Sequence, residues 1–559
     1  MPVTFHVNGA PIGGMAIAIA VFSSMGGFLF GYDTGQISDF LVMDDFKLRF
    51  ASCSTPGVVD TCSFSNVRTG LIVGMLSIGT LFGALIGASL ADRLGRKKAI
   101  MIDCTVLIIG IVIQATSFTA WYQFMIGRII AGLGVGALSA VVPLYQSEIA
   151  PKEIRGTLVC TYQLMITAGI LVAYCICIGT RNLNSHGASW RIPNLLTIFF
   201  ALVLGVGIIF APESPRWLFF EGRHEEAEKS LARVRGVKVE DQEYTVRQTY
   251  EEMREAVERE LSMDKFRWID CFQPRDKILY RTLLLMVLQA GQQLTGANYF
   301  FYYGATIFQG VGISDEYVAQ IILGAVNFVC TFLGLYVMER FGRRVPLIIG
   351  GIWQGCWLIV YATAGVVKDP VTNEGIGKLE IVASCMFILG YASTWAPGIW
   401  TLVGETPRNS ARAKTGAIAT ASNWIFNFLL AFFTPFITGA INYAYGYVFA
   451  GCVLAGAVIV YFFLYESAGL SLENVDRMYN DPKCKPWNSS KWVPEGHDSR
   501  KDYVHALKAE GKTTGEKQHR ELADDTRSSH DGTIVGNGGT GSERPKWAKK
   551  HGRNPEKHV

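Results

Sequence analysis

The sequence predicts an all-α membrane protein with twelve transmembrane helices in two six-helix halves joined by a cytoplasmic helical linker. Three observations carry that expectation. Half of the 559 residues are hydrophobic while only 18% are charged, and the mean hydropathy is +0.25, more apolar surface than a soluble chain would bury. Uncharged runs recur at the length, about 20 residues, that a helix needs to cross the hydrocarbon core. A charged motif also repeats six helices apart.

Residues 1–13 form a short cytoplasmic N-terminus. They hold no basic stretch followed by an apolar segment and a small-residue cleavage site, so the first span is expected to stay uncleaved. Spans follow at Gly14–Tyr32, Thr69–Ala91, Ala99–Ser117, Gln123–Gln146, Thr157–Thr180 and Ile192–Ala211, which completes a first half over residues 14–211. Their length favours spanning helices over buried strands. Residues 212–280 are polar, with helix-like runs at Glu225–Val234 and Glu251–Leu261, and read as the linker. The second half, 281–465, holds spans at Thr282–Ser314, Tyr317–Met338, Val345–Val367 and Ile381–Gly404. Thr415–Tyr465 is uncharged for long enough to make two more, with a turn near Gly439–Asn442. Residues 466–559 turn polar and rich in Gly, Lys, Asp and Ser, too poor in apolar groups to order themselves. This tail reads as largely disordered, a platform for regulatory proteins at most.

Short loops rich in Lys and Arg stay in the cytoplasm. Arg93, Arg96, Lys97 and Lys98 mark one such loop, Lys152 and Arg155 the next, then Arg340, Arg343 and Arg344, then Arg408, Arg412 and Lys414. Both termini are therefore expected on the cytoplasmic side of a multi-pass protein of the plasma membrane. Of the twelve cysteines, most sit in spans as small apolar residues. Cys53 and Cys62 lie instead in the first non-cytoplasmic loop, where a disulfide and two free thiols are both open readings.

The motif Asp92-Arg93-Leu94-Gly95-Arg96 after the second span recurs as Glu339-Arg340-Phe341-Gly342-Arg343 after the eighth. A second echo pairs Glu148, Pro151, Arg155 and Gly156 with Glu405, Pro407, Arg412 and Ala413. Parallel repeats related by an axis along the membrane normal build one large transporter class, with substrate near midplane between the halves. The competing explanation is that charges cluster at any cytoplasmic helix end.

Gly31-Tyr32-Asp33-Thr34-Gly35, the Asp92–Arg96 loop, Gly127-Arg128 with Gly132, Gly134 and Gly136, Pro212-Glu213-Ser214-Pro215-Arg216-Trp217, Gln292-Gln293-Leu294-Thr295-Gly296 and Asn423-Trp424 stand in order along the chain. This ordered set resembles the sugar porter branch of the major facilitator superfamily. Pro486-Trp487 and Trp492-Val493-Pro494 further resemble fungal hexose transporters. At the closing motif, Gly469-Leu470-Ser471-Leu472-Glu473, the family's usual Pro and Lys are Tyr465 and Ala468 here.

The resemblance implies a monosaccharide carrier working by alternating access. A sugar site needs neutral donors and acceptors for the hydroxyls and an aromatic plate for the ring. By resemblance, Gln163, Gln292, Gln293, Asn298, Asn327 and Asn423 surround the hydroxyls, with Trp400 and Trp424 against the ring; each amide also reads as interhelical packing glue. A helix break near Gly296 would help Gln292 and Asn298 converge. Ala392 stands where some family members hold an acid, so sugar preference does not transfer. Asp92, Arg93, Arg96, Glu148, Arg155, Glu339, Arg343, Glu405 and Arg412 are expected to form a gating latch between the halves, or to serve topology alone.

Apart from Asp103, near a span end, Asp33 and Arg128 are the ionisable residues read inside apolar spans, where burial is costly. In the resembling symporters an acid matching Asp33 takes the proton and an Arg matching Arg128 pairs with it. Proton symport of glucose or another hexose is the expectation, with facilitated diffusion or a non-transporting glucose sensor as alternatives. A channel is disfavoured for want of an acidic ring. Gly511-Lys512-Thr513 lacks the earlier glycine of a P-loop. No enzyme activity, cofactor, metal or nucleic-acid partner is expected; hexose, proton and lipid bilayer are.

Overall fold

The computed structural model describes residues 4–7, 10–55, 57–149, 155–183, 187–235, 250–251, 253–255, 257–258, 267–309, 316–368, 370, 373–408, 411–470, 472–494, 500 and 502. A short antiparallel pair, β1 (Thr4–Val7) and β2 (Ala10–Gly13), leads into α1 (Gly14–Phe40). A short helix α2 (Asp44–Phe50) and a two-strand hairpin, β3 (Ser52–Cys53) and β4 (Cys62–Ser63), connect it to α3 (Asn66–Leu94). Then come α4 (Arg96–Ala115), α5 (Trp121–Ile149), α6 (Arg155–Thr180) and α7 (Ala188–Phe210). Two short helices, α8 (Pro215–Phe220) and α9 (His224–Arg235), follow outside the bundle.

The second set begins with α10 (Ile278–Leu294) and α11 (Ala297–Gln309), then α12 (Glu316–Phe341) and α13 (Arg344–Val367). α14 (Glu374–Gly390) continues through one π-helical turn at Tyr391–Trp395 into α15 (Ala396–Glu405). α16 (Arg412–Ile441) and α17 (Tyr445–Phe463) complete it. Counting α10 with α11 and α14 with α15, the described residues hold the twelve spans expected. The turn expected near Gly439–Asn442 falls at Asn442, where φ is 44°.

Two spans end elsewhere than the sequence reading placed them, each for a physical reason, and a third is broken near Gly296 as it anticipated. The first span runs on to Phe40, because Asp33 and Asp39 turn into the bundle and are fully buried. The tenth starts at Glu374, since Glu380 is likewise buried. The seventh is two helices. Gly296 adopts φ 88° between them, a conformation only glycine takes cheaply, and Thr295 Oγ1 accepts from the Ala297 amide at 3.5 Å. The polar stretch after Glu466 also folds as far as Trp492. α18 (Leu472–Asn480) and a 3-10 turn at Pro486–Lys491 bury Tyr465, Val475, Met478, Tyr479 and Cys484 together. Residues 503–559, including the rest of the expected tail, lie outside the described residues.

Glycine lets the spans pack backbone on backbone, as lipid supplies no hydrophobic drive between helices. A Cβ on Gly132 of α5 would stand 2.3 Å from the Leu76 carbonyl oxygen of α3, and one on Gly31 of α1 would stand 1.9 Å from the Ile166 carbonyl oxygen of α6. Large apolar side chains such as Phe82, Phe199, Phe210, Val329 and Ile349 face outward, where lipid replaces water. Cys53 and Cys62 are joined by a disulfide across the β3–β4 hairpin. That hairpin marks one end of the bundle, the disulfide end. α8, α9 and α18 mark the other, the linker end.

The two sets of spans meet at the disulfide end. Gly70 of α3 abuts the Phe432 carbonyl of α16, and Gly324 of α12 abuts the Tyr174 ring of α6. The Ala305 amide of α11 donates to Ser38 Oγ of α1 at 3.1 Å. Overpacking such contacts costs about 1–3 kcal/mol. Gly31→Ala should therefore lower the melting temperature of the detergent-solubilised protein clearly, whereas Gly451→Ala, with nothing within 4 Å of its added methyl, should not; equal melting curves would contradict this packing.

Candidate functional site

Between the two sets of spans lies a cavity of about 1090 Å³, at the upper end of small-molecule sites, which run to roughly 1,000 Å³. Its lining runs from Gln292, Asn298 and Asn427 in the middle of the bundle to Ser147, Glu339, Arg343 and Glu405 at the linker end. It opens there and is shut at the disulfide end. Tyr302 donates to Asn427 Oδ1 at 3.1 Å, Tyr303 donates to the Ala431 carbonyl, and Tyr174 donates to the Phe301 carbonyl at 3.4 Å. α11 thus ties itself to α6 and α16 above the cavity.

All eight residues named for sugar binding line this cavity: Gln163, Gln292, Gln293, Asn298, Asn327, Trp400, Asn423 and Trp424. The break at Gly296 brings the amides into one chain of hydrogen bonds. Asn298 Nδ2 donates to Gln293 Oε1 at 2.7 Å, and Gln293 Nε2 to Asn423 Oδ1 at 2.9 Å. Asn423 Nδ2 donates to Gln292 Oε1 at 2.9 Å and to Gln289 Oε1 at 2.7 Å, and Gln292 Nε2 donates to the Trp395 carbonyl at 3.0 Å. Trp424 is buried edge-on to Phe30 at 5.6 Å between ring centroids. Trp400 is more than a third exposed on the cavity wall. The sequence reading passed over Gln289, which fixes Asn423 from behind, and Asn427, Tyr302 and Thr34, which share the wall. A polar residue one helical turn before Gln293 was the available signal for Gln289.

Asp33 and Arg128 form an ion pair of 2.9 Å, with side chains 0% and 1% exposed. Gln36 Nε2 donates to the second carboxylate oxygen at 2.9 Å. The pair lies inside the first set of spans, and its neighbours on α1, Phe30 and Thr34, face the cavity.

The charges expected to latch the halves together are paired within each half instead. Arg96 grips Glu148 with two hydrogen bonds of 2.9 Å, and Arg343 grips Glu405 with bonds of 2.9 and 2.6 Å. Gly95 and Gly342, at φ 91° and 82°, turn the chain so that each arginine starts a helix beside the end of a span of its own half. Asp92 reaches Arg96 at 3.3 Å; Arg93 is exposed, Glu339 and Arg343 line the cavity mouth, and Arg412 is half-buried. The side chain of Arg155 lies outside the described residues.

A third echo completes the repeat. Glu213 accepts from the Arg96 and Lys97 amides at 3.0 and 3.2 Å, and Ser214 donates to Glu148 at 2.5 Å. Glu466 accepts from the Arg343 and Arg344 amides at 3.0 and 2.9 Å, and Ser467 donates to Glu405 at 2.7 Å. Each glutamate neutralises the positive end of a helix dipole. The signal was a Glu-Ser dipeptide after the sixth and twelfth spans.

Known proteins resemble this chain in sequence and in overall fold. The family model described as "Sugar (and other) transporter" matches residues 19–479. The chain is similar to the high-affinity glucose transporter ght2 of Schizosaccharomyces pombe, 42% identical over 517 residues, covering 92% of this chain and 96% of that protein. It is similar to the high-affinity hexose transporter HXT7 of Saccharomyces cerevisiae, 44% identical over 482 residues, covering 85% of this chain and 83% of that protein. Among solved structures it resembles the inward-open xylose transporter XylE from E. coli, with TM-score 0.68, 25% identity, and 83% and 99% of the two chains covered. It also resembles XylE, described as a proton:xylose symporter, bound to 6-bromo-6-deoxy-D-glucose, with TM-score 0.67 at the same identity and coverage.

Breaking a buried ion pair from one side costs about 3–5 kcal/mol, an exposed one about 0–1 kcal/mol. Arg96 and Glu148 are 7% and 5% exposed, Arg343 and Glu405 17% and 25%. Arg96→Leu should therefore lower the melting temperature more than Arg343→Leu. The reverse order would show that burial does not set the strength of these pairs.

Proposed function

Because the chain belongs to the sugar (and other) transporter family, we propose that it carries glucose or a related hexose across the membrane by alternating access, driven by symport of a proton. It is a transporter, not an enzyme. The observation that carries the reading is a cavity walled by a continuous chain of neutral amides and two tryptophans, open at one end of the bundle and shut at the other. Neutral amides exchange hydrogen bonds with hydroxyls without burying charge, and indole rings cover the apolar face of a pyranose.

In this reading Gln163, Gln292, Gln293, Asn298, Asn327 and Asn423 hold the hydroxyls, and Trp400 and Trp424 flank the ring. The two Arg–Glu pairs keep each half rigid at the linker end while the halves rock. The protein sits in the plasma membrane with the linker end and both termini in the cytoplasm, so the structure is an inward-facing state. Protonation of Asp33 removes the partner of Arg128. The guanidinium, already sealed from water, then carries an uncompensated buried charge costing about 3–5 kcal/mol, comparable with the roughly 5.5 kcal/mol that swings a two-state equilibrium from one side to the other. The relatives named as glucose and hexose transporters and a symporter of the same fold support the substrate class and the coupling.

Labelled glucose uptake should be measured in cells lacking their own hexose carriers, at acidic and alkaline pH, with and without a protonophore. Uptake should collapse with the protonophore and in Asp33→Asn; uptake indifferent to both would make the protein a facilitator. Gln293→Ala removes the central link between Asn298 and Asn423 and should raise the KM for glucose about tenfold or more, since unpaired buried amides cost about 1–3 kcal/mol. An unchanged KM would take Gln293 out of the binding site.

A further inference from the structure

Asp33 is buried away from the cavity, so the proton and the sugar need not arrive by one road. The interior of the first half, between α1, α4, α5 and α7, holds a column of polar side chains that the sugar site does not use. Gln114 of α4, Asn194 and Thr197 of α7 and Gln36 of α1 are each 0% exposed. Both amide atoms of Gln114 and of Asn194, the Thr197 hydroxyl, Gln36 Oε1, and Nε and Nη2 of Arg128 have no hydrogen-bond partner among the described residues. Burying one such group unpaired costs about 1–3 kcal/mol, and a cluster of them is the mark of a site that holds water, each molecule taking about three hydrogen bonds.

Backbone contacts fix the order of the column. A Cβ on Gly127, the residue before Arg128, would stand 2.6 Å from Gln114 Cγ, so Gln114 lies against the arginine's own turn. Tyr32, the residue before Asp33, donates to the Pro193 carbonyl at 2.8 Å, which sets Asn194 at the depth of Asp33. Beyond Gln114 toward the disulfide end, Ser117 Oγ donates to the Gln114 carbonyl at 2.6 Å, and half-buried Arg191 donates to the Ser117 carbonyl at 2.9 Å. None of Gln36, Gln114, Asn194 and Thr197 lines the cavity.

We propose that Gln114, Asn194, Thr197 and Gln36 hold a chain of water molecules that delivers the proton to Asp33 from the disulfide end, through the interior of the first half and apart from the sugar cavity. The inference rests on the symport reading above. A hydronium donor hands its proton along the waters, each forming one O–H bond as it gives up another. The last transfer is to an Asp33 carboxylate oxygen, with no net change in the water chain. The titratable and charged groups facing Asp33 are Arg128 from α5, Tyr32 on its own helix and Tyr302 from α11. The column itself is neutral, so it positions water rather than supplying the proton.

The test uses the full chain in carrier-free cells. Asn194→Leu and Gln114→Leu fill the column with apolar volume while leaving the sugar wall and the ion pair intact. Protonophore-sensitive uptake should fall about tenfold or more, its pH optimum should move to more acid values, and its solvent deuterium isotope effect should change. Sugar counterflow, which needs no net proton transfer, should stay within about twofold of wild type. Asn194→Ser, small and still polar, should keep coupled uptake, and Thr197→Val, an isosteric loss of one hydroxyl, should lower it. Should the leucine variants not reach the membrane, the serine and valine variants decide. Wild-type pH profile and isotope effect in every well-expressed variant would overturn the inference, leaving these residues as packing polar groups. Wild-type uptake that ignores both the protonophore and Asp33→Asn would overturn the symport reading and this inference together.

Discussion

The structure depends on how a helix may begin beside an arginine at the edge of a membrane. α4 starts at Arg96 and α13 is capped by Arg343, so at each start free helix amides and a guanidinium put two sources of positive potential side by side. One carboxylate, Glu213 or Glu466, accepts the free amides, and a second, Glu148 or Glu405, takes the guanidinium. The knot binds the third span of each half to its fourth and to the segment leaving its sixth. Each half is braced at its base, and the opening between them at the linker end is what gives the cavity its mouth.

Rigidity at the base is matched by division inside. The first half is closed on itself around Asp33 and Arg128, packed through glycines that bring backbones into contact. The second half is interrupted, at Gly296 and at the π turn Tyr391–Trp395, and residues beside each interruption, Gln293 and Asn298 at the first and Tyr391 at the second, line the cavity. In an unbroken helix, with about 3.6 residues per turn, Gln292 and Asn298 would point to different sides of the axis. The break lets Gln292, Gln293 and Asn298 serve one space, and it leaves α11 as a short rod held by a handful of tyrosine hydroxyls.

Much of this was legible in the residues. Span positions follow from length and apolarity, and the flagged amides do meet at one cavity, Gln292, Gln293 and Asn298 through the break at Gly296 and Gln163, Asn327 and Asn423 from three other helices. Span ends were harder: hydropathy stops at a charge, yet Asp39 and Glu380 lie inside helices because the bundle interior, not lipid, receives them. Pairing was also hidden. Arg96 and Glu148 stand 52 residues apart, and only the turn at Gly95 makes them neighbours within a half rather than partners across it. The folded part of the tail escaped because its apolar residues, Val475, Met478, Tyr479 and Cys484, are scattered among charges. Gln114 and Asn194 read in sequence as ordinary packing amides, and only the structure shows that their amide atoms are buried without partners among the described residues.

The Glu-Ser pair after the sixth and twelfth spans says something about descent. Two halves that finish with the same dipeptide, folded into the same knot, have the form of a duplicated unit. The interiors differ: one half holds a sealed charge, the other broken helices. The knot is common to both halves and the interior is not, so the base of each half and its centre answer to separate demands.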